Sequence, residues 1–282
     1  MNKPKVLIIK FLFLLFLLTT RFLNAQHIHH KSDTTNKTTD LEFTVDRPGI
    51  ADLPYLVGVN NFQVEIGADY LQRGSYSRIQ APALLFRTGI SKNAEIRMGI
   101  RYIVQDSIQD FVPPFEKDKG LSPILIGLKI PFIKENGWIP EIALAADIIL
   151  PFFSKENFKT RYVGHDIFLY MMHNPKTWFG INTNIGAIWE GFSGETVWMY
   201  AICLDFQLTK KIGFFIENYA YIPDESPQEI GLDTGITYLI RPKIQIDINA
   251  GISQLNTGKL YFIGTGLTFR IDKKNKNTKI RI

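Results

Sequence analysis

The feature that most constrains this chain is a strict alternation of apolar and polar side chains, first seen over residues 61–71. Phe62 and Val64 fall on one face of this segment, whereas Gln63 and Glu65 fall on the other. A period of two is typical of a β-strand, because successive side chains point to opposite faces of a sheet. The pattern recurs along the rest of the chain, so the sequence predicts an all-β fold.

The alternation predicts about twelve strands, joined by connections of two kinds. Connections after even-numbered strands are short and each contains a lysine, whereas most of those after odd-numbered strands are longer. An even number of strands, with short turns at one end and longer loops at the other, is typical of bacterial outer-membrane barrels. The predicted strands are residues 61–71, 77–88, 94–104, 121–132, 139–150, 164–173, 178–190, 196–208, 212–222, 230–240, 244–252 and 260–271.

The polar faces of the strands carry charged and small residues together, which suits an enclosed, wet interior better than an open surface. We therefore expect a transmembrane antiparallel up-and-down β-barrel, with an apolar lipid face and a polar lumen. A soluble secreted sandwich is the alternative. Aromatic residues near the predicted strand ends indicate interfacial girdles, formed by Tyr70, Trp138, Trp178, Trp189, Trp198, Tyr219, Tyr221, Tyr238 and Tyr261.

The N-terminus has the anatomy of a secretory signal peptide. A basic start precedes the unbroken apolar run at residues 11–18, and Ala25 provides a small residue for cleavage. A membrane anchor is the alternative, but the run is shorter than the roughly 20 apolar residues that a spanning helix needs. The sequence therefore predicts a signal peptide over residues 1–25, removed from the mature chain.

The remaining chain divides by composition. Residues 26–60 are predicted to be a periplasmic N-terminal segment, disordered to about residue 42 and leading into the barrel from there. The barrel is predicted over residues 61–271, and a basic periplasmic tail over residues 272–282. Three histidines in the polar part could bind a metal, although a flexible tail without that role is the favoured explanation: His27, His29 and His30.

Inward-facing positions predict a charged lumen. Because burying an ion costs several kcal/mol, such charges must be paired or solvated. We expect the arginines to pair with nearby carboxylates, either as a structural network or as a charged eyelet that selects permeants. An acidic excess elsewhere in the lumen favours cations or uncharged polar solutes. The candidate lumen and selectivity residues are Glu65, Asp69, Arg87, Glu95, Arg97, Arg101 and Lys129.

The sequence predicts no catalytic residue, metal site, cofactor or nucleic-acid partner. An outer-membrane lipid hydrolase is the enzymatic alternative, which would pair Ser193 with His165 or His173 at one rim. Adjacent strand residues face opposite ways, so Asp166 cannot support His165. The single cysteine, Cys203, is expected to be a small lumenal thiol, and one cysteine forms no intrachain disulfide.

Several short motifs resemble a known family. They are Asp46-Arg47-Pro48, Glu65-Ile66-Gly67, residues 85–89 with Glu95-Ile96-Arg97, residues 126–129, Asp247 and residues 264–266. Together they are similar to the phenol-degradation meta-pathway (MetA-type) outer-membrane transporters, over most of the chain after residue 43. The Asn24-Ala25-Gln26 junction also resembles that of secreted Bacteroidetes proteins. The resemblance implies a barrel of about twelve strands that acts as a transporter or channel.

We therefore expect a channel in the outer membrane of a Gram-negative bacterium, which passes small solutes, including hydrophobic or aromatic ones, by diffusion. A closed barrel with a structural or loop-binding role is the alternative. The expected partners are outer-membrane lipid, a small solute in the lumen and the barrel-assembly machinery, which recognises a terminal aromatic such as Phe269. The loop at residues 105–120 is the candidate to fold over the mouth.

Overall fold

The computed structural model describes residues 43–106, 117–256 and 258–272. The predicted signal peptide, the segment predicted to be disordered, the three clustered histidines, most of the loop after the third strand and most of the basic tail lie outside these residues. Among the described residues, no helix has the length and apolar character needed to cross a membrane.

The described residues form one closed antiparallel sheet. Each strand pairs with its sequence neighbours, except that the fourth and fifth strands both pair with the third, and pairing of the first with the last closes the ring. The strands are β1 (Phe62–Arg73), β2 (Tyr76–Ser91), β3 (Ala94–Asp106), β4 (Lys117–Leu121), β5 (Ile124–Ile133), β6 (Glu141–Leu150), β7 (Gly164–Lys176), β8 (Phe179–Trp189), β9 (Val197–Gln207), β10 (Ile212–Pro223), β11 (Glu229–Arg241), β12 (Ile244–Leu255) and β13 (Gly258–Ile271).

Two of these strands share one position around the barrel. β4 pairs with the C-terminal part of β3, and β5 pairs with its N-terminal part. The break falls at Ser122-Pro123, where proline has no N–H to donate to the ladder. The barrel therefore has twelve strand positions, and the predicted twelve-stranded antiparallel barrel is confirmed.

The two ends of the barrel differ in their connections. At one end, here called the turn mouth, short turns join β2 to β3, β5 to β6, β7 to β8, β9 to β10 and β11 to β12. β1 begins and β13 ends at this mouth. At the other end, the loop mouth, the β6–β7 connection carries two short 3₁₀ helices, Pro151–Phe153 and Glu156–Phe158. This asymmetry is the one that the sequence predicted.

The outer face of the barrel is apolar. On β5, for example, Ile126, Leu128 and Ile130 are exposed, as lipid-facing side chains must be. Two members of the predicted aromatic girdles lie elsewhere, however. Tyr219 is 2% exposed and packs inside the barrel with Tyr221, so placing them in a girdle was wrong. Both share the inward parity of their strand neighbour Glu217.

The buried core lies inside the barrel. Phe168 and Tyr170 on β7 stack with ring centroids 5.8 Å apart and pack with Met199 on β9 and Phe215 on β10. Ala51, which precedes the first strand, packs against the same cluster. The inner wall formed by β6–β10 therefore combines an apolar and aromatic cluster with buried acidic side chains such as Asp147 and Glu217.

Candidate functional site in the barrel lumen

The chain preceding β1 runs through the lumen, and residues 43–59 are here called the lumenal segment. Carboxylates on the barrel wall accept hydrogen bonds from its backbone. Glu217 accepts from the N–H groups of Ile50 at 2.8 Å and Ala51 at 2.9 Å. Glu95 accepts from the N–H of Val57 at 2.7 Å. Wall carboxylates thus fix the segment at two separate points.

Side-chain amides of the wall satisfy the carbonyl groups of the same segment. Asn184 donates to the Asp52 carbonyl at 2.9 Å, and Asn249 donates to that of Pro48 at 3.1 Å. Gln63 donates to the carbonyl of residue 44 at 2.8 Å. Buried backbone groups need partners, and non-helical chain is tolerated at membrane depth only where protein or water supplies them. The polar lumen performs that role for the lumenal segment.

A buried charge network joins the segment to β1, β2, β3 and β5. The Arg87 guanidinium lies 3.2 Å from Asp46, 3.1 Å from Glu65 and 2.6 Å from Glu95. Lys129 contacts Asp46 at 2.9 Å. Burial alone would raise the pKa of Asp46, but Arg87 and Lys129 outweigh it and hold that pKa below its usual value. Asp46 is therefore the anionic centre that two wall cations share.

A second network centres on Arg97 of β3. Its guanidinium contacts Asp52 of the lumenal segment at 2.7 Å and forms a two-point salt bridge with Asp147 of β6. It also donates to the Tyr170 hydroxyl at 2.9 Å. A bidentate arginine–carboxylate pair fixes both partners in orientation as well as in distance. Arg97 thereby ties the segment to β6 and β7 as well as to its own strand.

Arg47 of the lumenal segment reaches the other side of the barrel. Its guanidinium lies 3.4 Å from Asp69 on β1 and 3.5 Å from Asp247 on β12. Gly67 and Gly266 face each other across β1 and β13, and a Cβ on either would overlap this guanidinium. These glycines make the recess in the wall that Arg47 occupies.

The seven predicted lumen residues separate into different environments. Glu65, Arg87, Glu95 and Lys129 belong to the first network, in which the expected pairing of Arg87 with both glutamates occurs. Arg97 belongs to the second network, and Asp69 holds Arg47. Arg101 is exposed and lies apart from both networks.

Sequence reasoning missed the partners that the lumenal segment contributes, namely Asp46, Arg47 and Asp52. These residues precede the first strand and belong to no periodic pattern. The available signal was the position of three charged residues within an otherwise apolar stretch, residues 43–57. Charges in such a stretch need partners elsewhere.

Two cavities flank the lumenal segment. A cavity of about 500 Å³ opens toward the turn mouth and is lined by Pro48, Gly49 and Ala51 among others. A smaller cavity of about 190 Å³ lies on the loop side and is lined by Ile50 and Asp52. Because neighbouring residues of one stretch line opposite cavities, the segment forms the partition between them.

The residues considered for catalysis do not converge. His165 lies on the outer face, where its ring stacks on Trp189 with centroids 4.6 Å apart. His173 binds Glu135 at 3.0 Å, and Ser193 accepts a hydrogen bond from the Glu195 N–H. In the part of the chain that the structure describes, no three histidine, cysteine or acidic side chains form a metal-binding group. The Cys203 thiol is buried in the lumen.

The apolar outer face, the closed antiparallel ring and the polar inward network define an outer-membrane β-barrel protein. The chain belongs to the family described as "Putative MetA-pathway of phenol degradation", whose model matches residues 45–271. The match confirms the predicted family resemblance and includes most of the lumenal segment. No curated protein matches the chain in sequence.

Solved structures share the fold at low sequence identity. An outer-membrane channel from Pseudomonas putida F1 gives a TM-score of 0.60 with 7% identity, covering 80% of this chain and 99% of that chain. The NanC porin gives 0.52 with 8% identity, covering 74% and 100%. The KdgM porin, solved with disordered oligogalacturonate, gives 0.51 with 6% identity, covering 73% and 98%.

Proposed function

We propose that this protein is an outer-membrane channel for the passive passage of small solutes, and that the lumenal segment forms its constriction. The observation that carries the proposal is the pair of cavities, about 500 Å³ and 190 Å³, that meet at residues 50–52. A barrel with space on both sides of one thin partition needs little rearrangement to become continuous. The channels and porins that share the fold support the same function.

The inner wall favours hydrophobic or aromatic solutes among those small molecules. Phe168, Ile188, Met199 and Tyr221 belong to the apolar side of the loop-side cavity, and apolar surface of this kind is typical of sites for such ligands. The family description, which refers to phenol degradation, supports the same class of solute. The wall chemistry therefore favours solutes with an apolar body over sugars and inorganic ions.

We further propose that the turn mouth faces the periplasm and the loop mouth faces outside, as the short turns and long loops of such barrels do. Residues 1–25 then act as the secretion signal, residues 26–60 start in the periplasm, and the tail from residue 272 stays there. Lipid surrounds residues 61–271, and the barrel-assembly machinery is the partner for insertion. Transport in this scheme requires no enzymatic step.

Single-channel recording of the refolded chain from residue 26 in a planar lipid bilayer tests whether the protein forms an open channel. Discrete, reproducible conductance steps are expected. Correct insertion is checked independently by resistance of the barrel to protease and to unfolding by detergent. An inserted barrel that stays electrically silent and does not release trapped small solutes from vesicles would contradict a channel.

A closed barrel with a structural or loop-binding role is the second candidate, and the buried networks favour it. Arg87 and Lys129 are fully buried. Arg87 pairs with carboxylates of both the wall and the segment, and Lys129 pairs with Asp46 of the segment. Such a network can rigidify a plug as well as line a pore. Conductance measurements distinguish the two candidates, because only a channel changes its conductance when substitutions weaken the contacts of the lumenal segment.

A further inference from the structure

The loop-side cavity combines an apolar wall with one charged side. The apolar wall of this cavity of about 190 Å³ consists of Leu85, Leu125, Phe168, Ile188, Met199 and Tyr221. The charged side consists of Asp52, Arg97, Asp147 and Asp166. Three carboxylates thus face a single guanidinium in this space.

The guanidinium is already committed to two of these carboxylates. Arg97 binds Asp52 at 2.7 Å through Nη1 and binds Asp147 through both Nε and Nη2. Asp166 faces Asp147 directly across the β6–β7 pair. It is only 7% exposed, and its Oδ1 has no hydrogen-bond partner among the described residues. The cavity therefore contains a buried carboxyl group, next to the carboxyl group of Asp147, with one oxygen that no described side chain fills.

We propose that this cavity binds a small organic cation, an ammonium group carried on an apolar or aromatic body, with Asp166 as its counter-ion. A cation beside Asp166 offsets the cost of burying that carboxylate. The faces of Phe168 and Tyr221 attract the same charge through cation–π contacts. The apolar wall then receives the body of the ligand. Carboxylates repel an anion, and a neutral aromatic carries no charge with which Asp166 could pair.

This inference deepens the proposed channel function by giving it a solute class, and it relies on that function for entry of the ligand. The probe is phenyltrimethylammonium, with benzenesulfonate as the anion of similar size and benzyl alcohol as the neutral aromatic. Isothermal titration calorimetry measures their binding to the detergent-solubilised protein from residue 26. Saturable binding of the cation, with much weaker binding of the other two, is expected.

Two substitutions separate the proposed counter-ion from lumen charge in general. Asp166→Asn keeps the shape of the side chain and is expected to weaken cation binding at least about tenfold. Asp205→Asn removes a lumenal carboxylate that lines the other cavity and is expected to leave binding unchanged. Phe168→Leu, which removes the aromatic face, is expected to weaken binding a few-fold and provides a second variant if the first fails to fold.

The outcomes distinguish this inference from the channel itself. Equal binding of the three probes, or cation binding that survives both Asp166→Asn and Phe168→Leu, overturns the cation site even where the protein conducts. Asp166-dependent binding in a barrel that never conducts supports the cation site and contradicts the channel. Saturable, cation-selective binding that Asp166→Asn removes, in a conducting barrel, supports both.

Discussion

Gly89, at the turn mouth end of β2, shows how single residues set the fit of the lumenal segment. A Cβ at Gly89 would overlap the backbone carbonyl of Gly58, and backbone cannot move aside as a long side chain can. The Asn60 N–H also donates to the Gly89 carbonyl at 2.9 Å. The segment therefore packs directly against the backbone of β2.

Gly89→Ala is accordingly expected to destabilise the barrel by about 1–3 kcal/mol, the usual cost of overpacking. The urea midpoint of the protein refolded into lipid vesicles measures this. Gly99→Ala is the matched control, because this glycine also faces inward but its Cβ would meet the nearest atom, on Leu125, at 3.5 Å. Equal midpoints for the two variants would mean that the segment does not press on Gly89.

The second prediction for single residues concerns Arg87. Replacing Arg87 by Met leaves Asp46, Glu65 and Glu95 buried, with Lys129 as the remaining cation beside Asp46. Breaking a buried ion pair from one side costs about 3–5 kcal/mol, so the urea midpoint is expected to fall clearly. The same change at the exposed Arg101 is the control and is expected to leave the midpoint unchanged. An Arg87→Met variant with the urea midpoint of the native protein would contradict a stabilising role for this network.

At the scale of elements, the lumenal segment depends on Glu217 for two of its backbone hydrogen bonds. Glu217→Gln keeps one acceptor oxygen but replaces the other with an amide nitrogen that cannot accept, and leaving a buried N–H without a partner costs about 1–3 kcal/mol. Hydrogen exchange at Ile50 and Ala51, followed by mass spectrometry, is therefore expected to accelerate by about tenfold or more. Asp205→Asn serves as control. Unchanged exchange in Glu217→Gln would show that the segment is held by other contacts.

The strands were predictable because a barrel imposes a period of two on both faces, and the alternation from Phe62 onward records it. Two details escaped this rule. The predicted strand at residues 121–132 corresponds to β5, whereas β4 lies almost entirely in the predicted loop at residues 105–120, where the sequence shows no alternation. Tyr219 resembles an interfacial aromatic by type, and only its parity with Glu217 assigns it to the lumen.

The lumenal segment could not be predicted in the same way, because it has no repeating structure. Its conformation is set by tertiary partners such as Glu217, Asn184 and Asn249, which lie far away in sequence. Only part of the candidate site could therefore be predicted from the sequence. The wall charges followed from strand parity, but the groups they bind, Asp46 and Asp52, did not.

For the whole molecule, the inner surface divides into two walls that the lumenal segment joins. The β1–β5 wall holds Arg87, Arg97 and Lys129, and the β6–β10 wall combines an apolar and aromatic cluster with acidic side chains such as Asp147 and Glu217. In the proposed channel, the lumenal segment between the two cavities, and not the barrel itself, is the element that sets the width of the path.

The most direct test of this account compares the conductance of the native chain with that of a variant in which a glycine-serine linker of equal length replaces residues 43–59. Single-channel recording in planar bilayers, with insertion verified for both proteins, measures the difference. The account expects a clear increase in conductance for the linker variant, because its lumen loses the partition between the two cavities. Equal conductance, or silence in both, would contradict the claim that the segment forms the constriction of a channel.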